Sequence, residues 1–389
     1  MIFKNASVIL ADRIEPHAHV LVTEGMIEEV SKGPVSPEPG ETVIDLEGKY
    51  LAPGFIDLHL HGAMGRDAME ADARAFETIC NYHAAGGTTS LLLTTVTASV
   101  VEIFRVLDAV EKIHGTAYPN GARVLGVHIE GPYISREKPG AHRQHLIRNP
   151  DPAETALILG HGHLIRQMTV APEIPGALEL IHELHRSGIR VSGGHSDAWD
   201  EEARAGYERG MRQVTHTFNC MSSARRRGPY RVAGLLEFAM SEPGILCELI
   251  ADARHVSPTL MQMLYRAKGA DGICLVTDAT AGAGLPENGT FRLGEIECVV
   301  RDEVGFTIDG HALAGSTADM IRLVRNMVEH VGAPLHEAVR MATLNPARAL
   351  GMEVQKGRIA AGADADLTIL DGDLEVRQTY VGGRCVFSR

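Results

Sequence analysis

The 389-residue sequence contains no CxxC pair, and its six cysteines are scattered rather than densely spaced. It also lacks any run of about 18 consecutive apolar residues. Its first residues, MIFKNASVILADRIEP, lack the cationic and long apolar regions of a signal peptide. A disulfide scaffold, a membrane-spanning helix and a secretory leader are therefore not expected. We predict free thiols and a cytoplasmic protein.

Positive charge is also scarce. The 37 Lys and Arg residues are outnumbered by 50 Asp and Glu residues, which gives a net charge of −13. Because so acidic a chain repels phosphate backbones and anionic lipid headgroups, we expect neither nucleic acid nor a membrane surface as a partner. Apolar residues make up 44% and charged residues 22% of the chain, which is typical of a globular protein with a large core.

The middle of the sequence alternates apolar runs with helical patterns, which indicates βα units and a parallel sheet. Eight runs are predicted strands, at residues 54–60, 88–95, 123–130, 166–173, 189–195, 213–218, 245–252 and 272–279. Eight such units favour a (β/α)8 TIM-like barrel. No GxGxxG or GxxxxGK[ST] motif follows a strand, so the usual evidence for a nucleotide-binding fold is missing.

The two ends of the chain have a different sequence pattern from its middle. Short β-rich segments separated by Gly, Pro and Asp turns occupy residues 2–51 and 357–387. The predicted fold class is therefore α/β, a barrel with a small discontinuous β-sandwich domain built from both termini. Its predicted boundaries are 1–52 and 355–389 for the small domain and 53–354 for the barrel. Residues 316–351 are predicted to be helical, with Ser316 and Asp319 as a start that resembles a capping box.

Histidine is unusually frequent, with 19 residues against 9 phenylalanines, 8 tyrosines and 1 tryptophan. In a barrel of this kind the chemistry gathers at the carboxyl ends of the strands. Five predicted strands carry potential nitrogen or oxygen ligands there, namely His59, His61, Glu130, His195, His216 and Asp278. Imidazole and carboxylate without thiolate suit Zn²⁺, Fe²⁺, Mn²⁺ or Co²⁺ and disfavour Ca²⁺ and Mg²⁺. The residues alone leave all four metals open.

Motifs along nearly the whole chain carry a family resemblance. They are PGFIDLHLHG (53–62), HIEGPYIS (128–135), KPGAH (138–142), SGGHS (192–196), THTFN (215–219), VTDAT (276–280), LAGST (313–317) and TLNPARALG (343–351). Together they resemble the N-acetylglucosamine-6-phosphate deacetylase family of the amidohydrolase superfamily. The resemblance implies a metal-dependent hydrolase that acts on the acetamide of an amino sugar phosphate in amino sugar catabolism.

The resemblance also implies roles for individual residues. Glu130, His195 and His216 are expected to hold one metal ion, and His59 and His61, with Asp278 as a further candidate, to hold a second, so that one or two ions bind per chain. Zn and Fe are the favoured metals, with Mn and Co as alternatives. Asp278 is expected to take a proton from water and return it to the departing amine. His142 is expected to orient or polarise the acetyl carbonyl.

Substrate recognition is where the sequence departs from the family pattern. The family usually has an H-R-E-P-G-like stretch after the sixth strand, whereas this chain has RRRGP (225–229). The predicted substrate contacts are His142, Asn219, Cys220 through its backbone, Arg227, His255 and Leu313. We expect Arg227 to bind the phosphate, because its forked donors match phosphate oxygens. His255 is expected near the interface of a homodimer.

Three alternatives stay open. The substrate can be N-acetylgalactosamine 6-phosphate, because the altered loop bears on which sugar is bound. The protein can also be an amidohydrolase for another N-acyl substrate, which a requirement for the phosphate distinguishes. A barrel that had lost its chemistry is the non-enzyme alternative, but such a protein is expected to lose ligands, and Glu130, His195, His216 and Asp278 are all present.

Overall fold

The computed structural model describes residues 1–33, 37 and 40–389. Eight parallel strands form its central sheet, and each neighbours the next along the chain. They are β1 (Phe55–Leu60), β2 (Thr88–Thr95), β3 (Arg123–Glu130), β4 (Ile165–Val170), β5 (Arg190–Gly193), β6 (Met211–Val214), β7 (Leu246–Leu249) and β8 (Ile273–Leu275). A parallel bridge between Leu60 and Ala279 joins the first strand to the segment after the eighth. The predicted (β/α)8 barrel is confirmed.

Helices alternate with these strands. They are α1 (Ala73–Ala85), α2 (Val100–Glu111), α3 (Pro152–Leu159), α4 (Ala177–Arg186), α5 (Asp200–Arg209), α6 (Leu235–Ser241), α7 (Pro258–Lys268), α8 (Met320–Asn326), α9 (Leu335–Ala342) and α10 (Leu344–Ala349), with a π-helical turn at Met327–Val331 and short 3₁₀ turns at Ala68–Glu70, Gln144–Leu146 and Ala270–Gly272. The carboxylate of Asp72 begins α1 by accepting bonds from the Arg74 and Ala75 amides. No helix in the described part of the chain has the length and apolar character that crossing a bilayer requires.

The predicted helical start at Ser316 is wrong. Ser316 ends a strand, and α8 begins four residues later with Asp319 as the N-cap that accepts a bond from the Arg322 amide. That strand belongs to a four-stranded antiparallel sheet, at Thr290–Leu293, Ile296–Arg301, Val304–Thr307 and Leu313–Ser316. The sheet was not predicted. It brings Leu293 and Leu313 to the carboxyl end of the barrel, where both line a cavity described below.

Strands from both ends of the chain share a second eight-stranded sheet. They are Ile2–Ile9, Ile14–Thr23, Met26–Lys32, Val43–Asp45 and Tyr50–Pro53 from the first part, and Leu367–Leu370, Val376–Val381 and Arg384–Ser388 from the last. The antiparallel pairing of Leu367–Leu370 with Tyr50–Pro53 joins the two parts. This sheet has an apolar core of its own, which includes Phe3 and Tyr380 in edge-to-face contact. Because Pro53 leads almost directly into β1, the sheet anchors the start of the barrel.

A candidate metal centre at the carboxyl end of the barrel

Two histidines meet one oxygen of the Glu130 carboxylate at the carboxyl end of the barrel. Glu130 is the last residue of β3, and its Oε1 lies 3.1 Å from His216 Nε2 and 3.3 Å from His195 Nε2. The two histidine Nε2 atoms are themselves 3.0 Å apart. All three side chains are buried. Glu130, His195 and His216 therefore form a group whose ligand atoms could surround a single ion.

A second group of potential ligands also includes Glu130. His59 and His61 alternate along the end of β1, and their Nε2 atoms lie 3.3 Å apart. Glu130 Oε2 is 3.3 Å from His61 Nε2, and Glu130 Oε1 is 3.4 Å from His59 Nε2. Asp278 Oδ1 lies 3.4 Å from the first imidazole and 3.3 Å from the second. Glu130 could therefore serve as a ligand in both groups.

Three of these residues stand just beyond their strands, not within them. The sequence analysis placed His195, His216 and Asp278 inside predicted strands, which was wrong, because β5, β6 and β8 end at Gly193, Val214 and Leu275. Each of the three has a left-handed backbone, with φ values of 46°, 31° and 47°. Such conformations cost of order 1–3 kcal/mol in non-glycine residues and cluster at functional sites.

The hydrogen bonds around the centre test whether these residues fit a metal ion. His195 Nδ1 lies 2.8 Å from the Lys138 carbonyl oxygen, which only accepts, so Nδ1 carries the hydrogen. In the neutral ring, Nε2 then presents a lone pair to the Nε2 of His216. That lone pair also faces Glu130 Oε1 at 3.3 Å, and two acceptor atoms so close repel each other unless a cation or a proton lies between them. The donor set of imidazole and carboxylate therefore fits a divalent metal ion.

Charge in the cluster favours a bound cation as well. Burial raises the pKa of Glu130, but His59, His142, His195 and His216 outweigh it and hold that pKa well below its usual range. Burial lowers the pKa of His61, but the carboxylates of Asp278 and Glu130 outweigh it and raise the pKa to about 9. Without metal, the centre therefore keeps its carboxylates ionised and takes up protons on imidazole. Since metal ligands must lose those protons, metal binding here depends on pH.

His142 presents a hydrogen-bond donor to the same place. Its Nδ1 accepts a bond of 3.0 Å from the Thr97 amide, so the neutral ring carries its hydrogen on Nε2. Burial, together with the charge of His195, lowers the pKa of His142 to about 4, which keeps the ring neutral near pH 7. Its Nε2 lies 3.4 Å from Glu130 Oε2 at the edge of the centre. A neutral imidazole in this state can donate to a carbonyl oxygen.

A cavity of about 270 Å³ opens onto the centre. It is lined by His61, Glu130, His142, His195, His216, Asn219, Cys220, Leu293, Leu313, His255 and Asp278, together with small residues of the surrounding loops. The structure thus brings all but two of the residues predicted from the sequence to one cavity. His59 lies directly beneath it, and Arg227 lies elsewhere. A cavity of this volume is of the right order for a small organic substrate.

His255 and Asn219 are held in place by nearby groups. His255 Nδ1 donates to Asp252 Oδ2 at 2.7 Å, and although burial lowers the pKa of His255, that carboxylate raises it above its usual value. Asn219 bonds back to the His216 carbonyl oxygen through its amide nitrogen at 3.3 Å. Both contacts direct polar side chains toward the cavity that also holds Asp278.

Arg227 does not reach the cavity of its own chain. It lies on an exposed hairpin formed by Arg225–Arg227 and Tyr230–Val232, where its side chain is 46% exposed. Its guanidinium bonds to Glu201 at 2.6 Å and stacks on the Trp199 ring at 4.1 Å. The expectation that Arg227 binds phosphate within a single chain is therefore not supported by its position. Sequence adjacency to β6 could not show that the hairpin points outward.

A larger cavity of about 730 Å³ lies beside the four-stranded sheet. It contains several arginines, but most of them are paired with carboxylates, since Arg143 bonds to Glu102 and Glu295 and Arg66 bonds to Glu70. Neither of the two potential metal-ligand groups lies in it. Ion pairs of this kind are typical of a structural cluster. The smaller cavity, which is lined by the potential metal ligands, is therefore the candidate active site.

The sequence analysis missed Glu248. This carboxylate is wholly buried on β7, inside the barrel, and its Oε2 lies 3.1 Å from His59 Nδ1. Burial raises its pKa, but the hydrogen bond and charge of His59 outweigh that and lower it. The signal was a single acidic residue within the apolar run ILCELI, since acidic residues are almost never fully buried unless they are paired.

Comparisons with known proteins agree with this geometry. The model of the amidohydrolase family matches residues 50–386. The chain is 35% identical to N-acetylglucosamine-6-phosphate deacetylase of Lysinibacillus sphaericus, over 99% of this chain and 97% of the relative. It is 34% identical to N-acetylgalactosamine-6-phosphate deacetylase of Escherichia coli O157:H7, over 93% of each. A mutant N-acetyl-D-glucosamine-6-phosphate deacetylase of Mycobacterium smegmatis, solved with N-acetyl-D-glucosamine-6-phosphate, matches with a TM-score of 0.90 and 31% identity, over 100% of this chain and 99% of that one.

Proposed function

This chain belongs to the amidohydrolase family and is a hydrolase of amide bonds, and we propose that it removes the acetyl group of N-acetyl-D-glucosamine 6-phosphate. The products are D-glucosamine 6-phosphate and acetate, and the reaction belongs to amino sugar catabolism. The observation that carries the proposal is the meeting of Glu130, His195 and His216 around one point beside the Asp278 carboxylate. The M. smegmatis relative solved with this sugar phosphate supports the choice of substrate.

The proposed cofactor is a divalent metal ion, with Zn or Fe favoured and Mn or Co as alternatives. Glu130, His195 and His216 hold one ion in this proposal, and His59, His61 and Glu130 hold a second. The support is the donor chemistry, because imidazole and carboxylate suit these metals. When bound, such an ion lowers the pKa of water toward about 7 and polarises a carbonyl group.

The residues of this chain divide the remaining work. Asp278 accepts the proton of the attacking water and then delivers it to the amide nitrogen, because an unprotonated amine is too basic to leave. Burial raises the pKa of Asp278, but His59 and His61 outweigh it and lower that pKa, so the carboxylate is ionised and holds no proton before water attacks. His142 donates its Nε2 hydrogen to the acetyl carbonyl oxygen. That bond holds the carbonyl in position and stabilises the negative charge that develops on it.

Recognition of the sugar phosphate uses the other cavity residues. In our proposal Asn219, the backbone of Cys220, Leu313 and His255 contact the sugar and its phosphate. No Arg or Lys of the described residues lines this cavity, although a phosphate dianion needs positive charge beside it. We propose a homodimer in which the exposed hairpin of one subunit brings Arg227 to the cavity of the other. The support is the hairpin's exposure, with Tyr230 73% exposed beside the arginines.

N-acetylgalactosamine 6-phosphate is the second candidate substrate. The E. coli O157:H7 relative bears that name and is as similar in identity as the glucosamine relatives. The two sugars differ only in the configuration at one hydroxyl group. A site that hydrogen-bonds that hydroxyl can separate them by a large factor, because the wrong epimer leaves a buried polar group unpaired.

Two further expectations concern organisation and compartment. We propose that residues 1–52 and 355–389 act as one domain and residues 53–354 as another, supported by the sheet that the two ends share. We also propose that the enzyme works in the cytoplasm. All six cysteines carry free thiols, which is typical of a reducing compartment.

The experiment is an acetate-release assay on a panel of substrates. Metal-loaded enzyme is given N-acetylglucosamine 6-phosphate, N-acetylgalactosamine 6-phosphate, both unphosphorylated sugars and an N-acyl amino acid. We expect the highest kcat/KM for the glucosamine 6-phosphate and a marked loss without the phosphate. Equal turnover of phosphorylated and free sugars, or turnover of the N-acyl amino acid alone, would reject the proposed substrate class.

A further inference from the structure

Glu248 lies at the centre of a buried polar network inside the barrel, beneath the candidate metal centre. Its Oε1 accepts bonds of 2.6 Å from both Gln167 and Gln213, and its Oε2 accepts bonds of 3.1 Å from the His59 ring and the His216 amide. A carboxylate with four donors is fully satisfied. Loss of one partner of a buried charge strongly destabilises a folded protein, so the presence of Glu248 inside the barrel calls for an explanation.

The bond to His59 fixes where that imidazole carries its hydrogen. A carboxylate only accepts, so the hydrogen lies on Nδ1, and in the neutral ring the lone pair lies on Nε2. That Nε2 faces His61 at 3.3 Å and Glu130 at 3.4 Å. The opposite tautomer would point a hydrogen at the same place and prevent the ring from binding a cation.

His61 has no such partner. Its Nδ1 is buried without a hydrogen-bond partner among the described residues, so nothing there holds a hydrogen on Nδ1 and leaves the lone pair on Nε2. His195 differs again, because the Lys138 carbonyl fixes its ring directly. The group formed by His59, His61 and Glu130 therefore depends on Glu248 for its one oriented imidazole. The group formed by Glu130, His195 and His216 obtains its oriented imidazole from the Lys138 carbonyl, and Glu248 bonds to that group only through the His216 backbone amide.

Glu248 is itself held in one orientation. Gln213 accepts from Arg190 Nε at 3.2 Å through its Oε1, which leaves its amide nitrogen facing Glu248 and Gln167. Arg190 thus donates to Gln213, Gln213 donates to Glu248 Oε1, and His59 donates to Glu248 Oε2. Because both glutamine amides bond to Oε1, Oε2 stays available to accept from the imidazole.

We propose that Glu248 is a positioning residue that sets the tautomer of His59 and thereby governs ion binding by His59, His61 and Glu130, without governing ion binding by Glu130, His195 and His216. This proposal rests on the proposed function, since it takes the histidine and glutamate groups to be metal sites. Hydrogen-bond partners of ligating histidines commonly contribute 10- to 100-fold to metal affinity.

The test compares variants of the metal-stripped, full-length protein titrated with Zn²⁺ by calorimetry, with ions per chain counted by elemental analysis. His59→Ala is the reference for complete loss of the second ion. Glu248→Met removes the acceptors at similar side-chain volume, and Glu248→Gln keeps one acceptor oxygen. Ser192→Ala is the control, because it removes a buried hydroxyl group of β5 that bonds to Thr215 and to neither Glu248 nor a histidine.

We expect two binding events in the wild type and in Ser192→Ala. In Glu248→Met one event should weaken by about 10- to 100-fold while the other stays within about threefold, and Glu248→Gln should lie between this variant and the wild type. Unchanged affinities in Glu248→Met would overturn the proposal. So would a single event in the wild type, or an equal weakening of both events, which would indicate a structural role.

The same preparations separate this proposal from the proposed function. Acetate release by the metal-loaded wild type is measured beside the titrations. Deacetylation with unchanged metal binding in Glu248→Met rejects the role of Glu248 and leaves the function standing. Selective loss of one binding event in a protein that releases no acetate from any sugar phosphate supports the role of Glu248 and rejects the function.

Discussion

The Nε2 atoms of His195 and His216 lie 3.0 Å apart, and Glu130 Oε1 lies 3.3 Å from the first and 3.1 Å from the second. Glu130 ends β3, and His195 and His216 stand two residues beyond β5 and β6, so neighbouring parts of the barrel rim bring the three residues together. Because His195 Nδ1 is taken by the Lys138 carbonyl, its Nε2 is the atom left for a cation. This convergence is the basis of the predictions that follow.

Replacing either histidine should remove metal and activity together. In His195→Ala or His216→Ala one ligand of three is lost, so elemental analysis should show loss of the ion that Glu130, His195 and His216 hold in our proposal, and turnover should fall in parallel. The fold should largely survive, because the barrel supports the site independently. A fully metallated His216→Ala protein with normal turnover would rule out its assignment as a ligand.

Asp278→Asn should lower kcat with little change in KM. The amide keeps the shape of the carboxylate but cannot carry the proton, and general acid–base catalysis contributes about 10²- to 10⁴-fold. Steady-state kinetics with the metal content matched to wild type is the measurement. If the variant stays within about threefold of the wild-type kcat, Asp278 does not transfer the proton.

Arg227→Ala should lower kcat/KM for the 6-phosphate by roughly 10- to 150-fold and barely affect the unphosphorylated sugar, because bonds to charged groups contribute about 1.5–3 kcal/mol. Arg226→Ala is the matched control, since neighbouring side chains on a strand point to opposite faces. Equal losses for both sugars would identify Arg227 as structural.

The dimer gives that prediction a second test. If Arg227 acts in the partner's cavity, mixed dimers of Arg227→Ala and Asp278→Asn contain one complete site, in which Asp278 comes from one subunit and Arg227 from the other. Co-expression should therefore recover activity that neither variant shows alone. Mixed dimers that stay as inactive as the parents would show that the hairpin does not act across the interface.

Asp252→Asn should destabilise the protein more at low pH than at high pH. Asp252 raises the pKa of His255 on folding, so the contribution is full below the unfolded pKa of about 6.5 and is lost as the pH rises through the folded pKa. We expect a loss of about 1.5–3 kcal/mol near pH 5.5 and a smaller one near pH 9. Urea unfolding of the wild type and the variant, both stripped of metal with a chelator, measures the loss at each pH. Equal losses at the two pH values would show that the charge on His255 does not contribute.

Much of the architecture could be predicted from sequence, because the apolar runs that become β2 and β3 have the same ends in the structure as in the pattern. The residues after Gly193, Val214 and Leu275 were harder. Their left-handed backbones end the strands early, and no periodicity marks a histidine or aspartate that leaves a sheet in this way. The four-stranded sheet was missed because no element was predicted between residues 279 and 316, where its strands are only four to six residues long.

Some residues of the candidate site could likewise be predicted from the sequence, and others could not. Residues near strand ends, such as His59 and Glu130, could be assembled from sequence because parallel strands end at one rim. Glu248 could not, since its role depends on which face of β7 points inward and on which imidazole stands above it. Arg227 was misplaced because the direction of a hairpin depends on its contacts with Glu201 and Trp199, distant from it in the chain.

The most direct test of the account is the fate of oxygen during turnover in ¹⁸O-labelled water. Metal-loaded enzyme is incubated with N-acetylglucosamine 6-phosphate, and acetate and amino sugar are analysed by mass spectrometry. Hydrolysis by water predicts equal amounts of free amine and acetate, one new ¹⁸O atom in each acetate and none in the sugar, with no product after chelation. Failure of the metal-loaded enzyme to release acetate, or equal release from chelated enzyme, would contradict the assignment of a metal-dependent deacetylase.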